Sequence, residues 1–207
     1  MTKPAREHYE QALAQCPEVD AEKAPAIAKM RGAILFYLAE LLTQQGQIQQ
    51  AMDLYQQSAK IDEQIGNVKG KAATLANMAW LAWQQGDHEK ARMLNLQAAK
   101  AFASIRAWLN LVTVLGNLGH TGASDASVFL AQAFWLAMRV EIPLDEALSL
   151  AAALIEKLGP GADAVPSIAI AGIFLVQTRG KDHPQHEEIQ EQALSLLAAC
   201  AVVPVPS

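Results

Sequence analysis

Cysteines, clusters of basic residues and long apolar runs are all scarce in this sequence of 207 residues. Its two cysteines, Cys16 and Cys200, do not suggest a disulfide framework. The formal net charge is −5 and no run of lysines or arginines occurs, which argues against a nucleic-acid-binding surface. The longest apolar run, 168–176, is much shorter than the roughly 20 residues that a spanning helix needs. Because the start also lacks an apolar signal segment, the sequence predicts a cytoplasmic protein without a membrane span.

Sequence motifs of catalysis and metal binding are missing as well. We find no glycine-rich phosphate loop after a strand pattern, no Gly-x-Ser-x-Gly elbow and no paired-cysteine motif. His183 and His186 lie among acidic residues around Pro184, but their spacing is not that of a helical zinc site. We therefore expect a protein that is not an enzyme, with no metal site and no cofactor.

The composition favours helices over strands. Apolar residues make up 52% of the chain, which is enough for a substantial core. Aromatic residues are only 6%, alanine is common, and few segments alternate Val, Ile and Thr with polar residues. Alanine is the strongest helix former, whereas β-branched and aromatic residues dominate strands. The sequence therefore predicts an all-α fold.

An internal repeat relates two segments of the chain. Residues 33–60 and 73–100 align without a gap, so that Gly46 falls on Gly86 and Ala51 on Ala91. The same offset carries Asn77 to Asn117, Ala79 to Gly119 and Ala91 to Ala131 and Ala171. A small residue that recurs at one position lets two helices approach closely, and a glycine between two helical runs suits a left-handed helix end. The repeat therefore predicts stacked helix pairs.

The segment 75–91 resembles the tetratricopeptide repeat (TPR) family. It has a bulky residue, a bulky-small pair, a Gly-Asp step and then an alanine, at Leu75, Met78-Ala79, Gly86-Asp87 and Ala91. The long period, which carries Gly46 to Gly86, resembles the longer repeats of kinesin light chains and of bacterial peptide-responsive regulators. This resemblance implies a right-handed superhelix, an α-solenoid of about four antiparallel helix pairs with capping helices at both ends. It also implies a concave groove that holds a peptide or a helix of another protein.

We predict one domain over 1–207, organised around the repeats. Helix pairs are expected near 22–45 and 47–65, 68–85 and 87–105, 107–120 and 124–140, and 143–158 and 165–178. The corresponding segments are an N-terminal capping helix (1–20), repeat 1 (21–65), repeat 2 (66–105), repeat 3 (106–141), a divergent repeat 4 (142–180), and a C-terminal capping helix with its tail (181–207).

The resemblance also implies peptide-binding positions on the first helix of each pair. In the longer-repeat relatives, an asparagine two residues before the small residue binds the peptide backbone, and the matching positions here are Asn77 and Asn117. An amide can serve both the C=O and the N–H of an extended strand. The alternative for both residues is that the asparagine side chain caps a turn or faces water. The remaining groove candidates are Tyr37, Glu40, Gln44, Trp80, Trp83, Gln84 and His120.

The two tryptophans are interpreted differently. Trp80 lies one turn from Asn77, and Leu75, Met78, Ala79 and Ala82 already fill the expected core side, so we place Trp80 in the groove. Trp83 fits the core as well as the groove. Gln44 and Gln84 stand where the family's carboxylate-clamping variants carry basic residues, so we expect an apolar or amphipathic ligand.

Residues 107–178 contain only eight charged residues, which is sparse for an exposed two-layer solenoid. A subunit interface that includes Phe134 and Trp135 would explain this, although a surface rich in alanine is the alternative. Three functions remain open: a peptide-binding scaffold or adaptor, a structural module that forms a homodimer, and, least favoured, a helical enzyme or small-molecule sensor with an internal pocket. Polar groups that converge inside the solenoid would favour the last.

Overall fold

The computed structural model describes residues 2–121, 123–137, 140 and 142–159. These residues form helices and contain no strand, which confirms the all-α prediction. The helices are α1 (Thr2–Gln15), α2 (Pro25–Gln44), α3 (Ile48–Gln64), α4 (Val68–Gln84), α5 (His88–Ser104), α6 (Trp108–Gly119), α7 (Ala126–Ala137) and α8 (Leu144–Leu158). The helix predicted near 165–178 and the C-terminal capping helix predicted within 181–207 lie outside the described residues, and the repeat boundaries stay a prediction.

Four successive turns in the first half close in the same way. Gly46, Gly66 and Gly86 have φ angles of 73°, 68° and 79°, a left-handed conformation that glycine adopts without steric cost. At the fourth turn, Arg106 adopts the left-handed conformation, with a φ angle of 55°. In each turn the next residue donates its N–H to a carbonyl five residues earlier, at 2.8–2.9 Å, as in a Schellman helix end. Left-handed helix ends therefore recur at a constant interval, which sets the length of each helix between them.

Side-chain caps fix the starts of α4 and α5. Asn67 Oδ1 accepts a hydrogen bond from the Gly70 N–H at 3.2 Å, and Asp87 Oδ1 accepts one from the Lys90 N–H at 3.1 Å. Such caps satisfy backbone donors that the first helical turn leaves unpaired. Because each cap follows directly on a turn glycine, the end of one helix and the start of the next are fixed together.

Residues 1–107 form one compact unit, in which α2 packs on α3, α3 on α4, and α4 on α5. Small residues lie at the closest approaches: Ala39, Ala51 and Ala79 are completely buried. This agrees with the small positions of the repeat, since a methyl group keeps two helix backbones close. The helix pairs α2–α3 and α4–α5 are therefore the two repeats that align without a gap.

The first helix, α1, is attached to α2 by polar and aromatic contacts. The Arg31 guanidinium donates to the Cys16 carbonyl oxygen at 2.7 Å and pairs with Glu18 at 2.9 Å. The ring of Tyr9 stacks on that of Tyr37, with 5.9 Å between centroids. Arg31 thus satisfies a carbonyl at the end of α1 that no helical N–H reaches.

The described residues from Trp108 to Gly159 belong to a second compact unit, which contains α6, α7 and α8. Here α6 packs on α7, and α7 on α8. A β-carbon at Gly119 would overlap Cγ of Leu130, which is fully buried. Glycine therefore stands where the earlier repeats have Ala39 and Ala79, because Leu130 fills the space of the methyl group.

The register of the repeat does not continue into α7, and this part of the prediction was wrong. Ala131, the expected small buried position, is exposed, whereas Ala126 is buried. Ala126 therefore takes the place that Ala51 has on α3, and the buried positions that follow it on α7 match those of α3 in the same register. The reason is that α6 ends at Gly119 and has 12 residues, five fewer than the 17 of α4.

Candidate functional site

One face of α2 and one face of α4 carry most of the predicted peptide-binding residues. Tyr37, Glu40 and Gln44 lie at i, i+3 and i+7 on α2, and Asn77, Trp80 and Gln84 repeat this spacing on α4. Each set therefore forms a stripe along its helix. The Tyr37 side chain is 48% exposed and that of Trp80 is 49% exposed, and both glutamines are exposed. Glu40 and Asn77 are half-buried.

Tyr55 of α3 connects the two stripes from the buried side of the helices. Its side chain is buried, and its ring meets the edge of Phe36 with 5.6 Å between centroids. The Asn77 amide donates a hydrogen bond to the Tyr55 hydroxyl at 3.3 Å. The half-buried pair Glu40 and Asn77 therefore approaches one phenol from two different helices, which the repeat alone did not predict.

The electrostatics of this cluster favour neutral groups. Burial raises the pKa of Tyr55 to about 12; the neighbouring Glu40 carboxylate adds to the rise, while the hydrogen bond from Asn77 opposes it. Burial also raises the pKa of Glu40 above its ordinary value. The phenol therefore remains protonated at neutral pH and continues to hold the Asn77 amide.

The hydrogen bond to Tyr55 orients the Asn77 side chain without using all of its capacity. A primary amide has two N–H donors and an oxygen with two lone pairs. One donor reaches Tyr55, and no other side-chain hydrogen bond of Asn77 is formed within the described part of the chain. The oxygen and the second N–H are therefore left for an external donor and acceptor.

The tryptophans lie outside the core of α4. Leu75, Met78, Ala79 and Ala82 are buried, as expected for the core side. Trp83 is 40% exposed, and its ring lies 4.2 Å from that of His88 across the turn to α5. The structure thus places Trp83 beside a turn rather than in the core, while Trp80 projects from the helix one turn from Asn77.

The remaining site candidates belong to the second unit. Asn117 on α6 and His120 just after it are exposed. Phe134 was predicted to lie in an oligomer interface, but it is 5% exposed and packs inside its own chain. It lies one helical turn from the buried Leu130, on the stripe of α7 that faces inward, so it belongs to the core of this unit. The side chain of Trp135 lies outside the described residues.

Tyr55 was missed at the sequence level. In the aligned repeat its position is taken by Asn95, so the pattern contained no recurrent aromatic residue at this position. A tyrosine on the buried stripe of α3, four residues after the small Ala51, was the available signal. Burial of a phenol requires a hydrogen-bond partner, and Asn77 is that partner.

No helix in the described ranges is both long and apolar enough to cross a membrane. Within the same residues, no three side chains of His, Cys, Asp or Glu come together as metal ligands. His183 and His186 lie outside them.

Comparison with known proteins identifies the repeats. The family model described as tetratricopeptide repeat matches residues 30–104. These residues are similar to tetratricopeptide repeats. The match spans most of α2 and all of α3, α4 and α5, so it includes every site residue of the first unit described above. No curated protein matches the chain.

Solved structures share the TPR architecture. The crystal structure of BtubC (BKLC) from P. vanneervenii matches with a TM-score of 0.66 and 18% identity, over 100% of this chain and 77% of that chain. A kinesin light chain-like protein of Podospora anserina, with nearly identical TPR-like repeats, matches with a TM-score of 0.52 and 19% identity, over 98% and 90%. At these identities the likeness shows the fold alone, an α-solenoid of TPR-like helix pairs. In fold, these neighbours agree with the resemblance to kinesin light chain-like repeats.

Proposed function

We propose that this protein is a scaffold or adaptor that holds a peptide or helical segment of a partner protein across α2 and α4. TPRs generally mediate protein–protein interactions, and the family is typically not enzymatic. One observation carries the proposal: the exposed Trp80 stands one turn from Asn77, whose amide is held by Tyr55 with hydrogen-bonding capacity to spare. An exposed tryptophan next to an oriented polar group is typical of a binding hot spot.

The surface around Trp80 fits an apolar or amphipathic segment. Gln44 and Gln84 are neutral and exposed, and Glu40 is acidic, so these positions offer no cation to a terminal carboxylate. The Trp80 ring offers apolar area, and Asn77 offers a donor and an acceptor to a backbone. A partner segment that places an apolar side chain on Trp80 and its main chain at Asn77 satisfies both. The cytoplasmic location stays a prediction from the sequence.

Capture of a partner from the native host lysate tests the proposal. We expect the unaltered protein to capture a specific protein, and the Trp80→Ala and Asn77→Ala/Trp80→Ala variants to lose most of it. Met93→Ala is the matched control, because Met93 is 51% exposed and lies on α5, which carries neither stripe. The loss should exceed tenfold, since a hot-spot tryptophan contributes roughly 2 kcal/mol or more.

The helicity and thermal stability of the variants decide how a loss of partner capture is interpreted. Asn77→Ala removes the partner of a buried phenol and should lower the free energy of unfolding by about 1–3 kcal/mol. Trp80→Ala removes an exposed ring and should leave folding unchanged. Equal capture by the unaltered protein and by Trp80→Ala would contradict binding on this face.

Self-assembly through the second unit is the other candidate function. Trp108, Leu109 and Val128 are 40%, 55% and 53% exposed, and all three lie in this sparsely charged part of the chain. Exposed apolar side chains of this size are enriched where subunits meet. We propose a homodimer as the alternative, with Phe134 excluded from the contact surface because it is buried.

A further inference from the structure

A cavity of about 310 Å³ lies between the first halves of α2 and α4, two turns from Trp80. Ala33, Phe36, Tyr37 and Ala73 form its apolar walls, and Asp62 from the end of α3 reaches it from inside the unit. This volume is at the small end of the range of ligand pockets, about 300–1,000 Å³. The cavity therefore has the size for a metabolite of a few heavy atoms rather than for a folded segment.

The two carboxylate oxygens of Asp62 differ in their partners within the protein. Its residue surface is 7% exposed. Oδ1 accepts a hydrogen bond from the Asn67 amide at 2.7 Å, whereas Oδ2 lies against Gly70 and has no hydrogen-bond donor among the described residues. The nearby Ser58 hydroxyl donates elsewhere, to the Gly32 carbonyl oxygen at 2.9 Å. Oδ2 is not enclosed, so it is open to water at the cavity and can accept a hydrogen bond from a ligand.

Burial changes the pKa of this carboxyl group. It raises the pKa of Asp62, and the Asn67 hydrogen bond and the positive charge of Lys29 counteract the rise. The structural bond to Asn67, which also caps α4, explains why Oδ1 is placed here. It does not explain the placement of Oδ2 at the cavity.

Two lysines line the same cavity. Lys29 and Lys69 occupy the same position in the two repeats, near the start of α2 and of α4. Both are exposed, and in the described part of the chain neither forms an ion pair with a carboxylate. The cavity thus combines an inner carboxylate, apolar walls and two outer ammonium groups.

We propose that this cavity binds the zwitterion of an apolar α-amino acid. The ligand's ammonium group donates to Oδ2 of Asp62, its carboxylate faces Lys29 and Lys69, and its side chain packs on Phe36 and Tyr37. Charge-assisted hydrogen bonds of this kind are about twice as strong as neutral ones, and the ligand's ammonium group replaces water as the donor to Oδ2. The site lies in the same unit as Trp80 but does not depend on partner binding there.

Calorimetric titration of the full chain with L-leucine and with L-phenylalanine tests the proposal. We expect at least one of them to bind, and N-acetyl-L-leucine and L-leucinamide, which each lack one charge, to bind at least tenfold more weakly than L-leucine if L-leucine is the ligand. The corresponding N-acetyl and amide derivatives of L-phenylalanine serve if that amino acid is the ligand. The proposal would be overturned if neither amino acid bound at a concentration of roughly 10 mM, because a weaker affinity would not be useful for a small ligand.

Variants locate the binding in the cavity. Asp62→Asn keeps an oxygen for Asn67 but removes the charge, and it should weaken binding at least tenfold. Asp53→Asn is the matched control, because Asp53 is exposed on the same helix and accepts from Gln49. Ala73→Leu fills the cavity while leaving Asp62 in place and should abolish binding. Trp80→Ala should leave it unchanged, which separates this site from the partner-binding face.

If Asp62→Asn fails to fold, the comparison of charged and uncharged ligands on the unaltered protein still decides. Equal affinity for the amino acid and its N-acetyl derivative would overturn the role of Asp62. Unchanged binding by Ala73→Leu would place the ligand outside the cavity and overturn the assignment of the site.

Discussion

Tyr55 determines the local chemistry between α2, α3 and α4 through a single oxygen atom. The phenol is buried, lies near the Glu40 carboxylate, and accepts a hydrogen bond from the Asn77 amide. A neutral hydroxyl can remain in such a place, whereas a phenolate would be buried next to a negative charge. The protonated form of Tyr55 is therefore part of the folded structure, and its loss should be visible in titration.

Alkaline titration followed by tyrosinate absorbance should show one of the three tyrosines ionising at about 12. The unfolded phenol ionises near 10, so the folded state binds this proton more tightly, and the free energy of unfolding should fall as pH rises from about 10 to 12. Tyr55→Phe should remove the late component. A late component that persists in Tyr55→Phe would assign the shifted pKa to another tyrosine.

At the residue scale, the sequence identified Asn77 through a family resemblance and Trp80 through helical spacing. The exposure of Trp80 follows from the core side of α4, which was predicted residue by residue. Tyr55 and Asp62 could not be recognised in the same way, because they are not repeated: Asn95 and Phe102 stand at their positions in the next repeat. A role that depends on one junction leaves no periodic signal.

Helix lengths differ between the two units, and this difference controls which side chains are buried. In the first unit left-handed turns recur at a constant interval, so α4 and α5 have 17 residues each. In the second unit α6 has 12 residues, and the buried face of α7 shifts accordingly. Leu130 then meets Gly119, where any larger residue would collide with it.

Gly119→Ala should lower the free energy of unfolding by about 1–3 kcal/mol, the usual cost of overpacking a filled core. Gly116→Ala on the same helix is the matched control. Its β-carbon would meet only the end of the Leu150 side chain, at 3.1 Å, and alanine favours the helix by about 1 kcal/mol over glycine. Chemical denaturation of both variants makes the comparison. Similar stability of Gly119→Ala and the unaltered protein would contradict the close contact with Leu130.

At the element scale, the sequence predicted the number and approximate extent of all eight described helices. Glycines at helix ends and the regular apolar spacing carry this information locally. The shift in α7 could not be predicted, because the offset of the repeat aligns Ala131 with Ala91 and no local pattern contradicts that alignment. Only the packing of α7 on α6 distinguishes Ala126 from Ala131.

The whole chain combines a regular first unit with a second unit that has exposed apolar side chains. If the second unit assembles the protein, size-exclusion chromatography with light scattering should give a dimer at micromolar concentration. Leu109→Lys should then produce the monomer, because the contact would bury the charge of the lysine. Met93→Lys, an exposed change in the first unit, is the control and should remain dimeric. A monomeric mass for the unaltered protein would contradict self-assembly.

At this scale the sequence predicted the fold class from composition and the repeat family from one segment. It predicted a divergent repeat 4, but it could not predict the shift of α7 or the cavity beside Asp62, because both depend on contacts between helices. Lys29 and Lys69 were visible as a repeated pair, but their meaning required Asp62 in the same space.

Under the proposed function, the differences between the stripes of α2 and α4 would also fix the alignment of a ligand on the first unit. Two identical repeats would let an extended partner slide by one repeat without loss of contacts. Here Tyr37 and Asn77 share one aligned position, and Glu40 and Trp80 share another. A ligand displaced by one repeat would exchange an indole for a carboxylate and an amide for a phenol. For a partner bound as proposed, divergence between the repeats would select one docking position, which perfect repetition could not do.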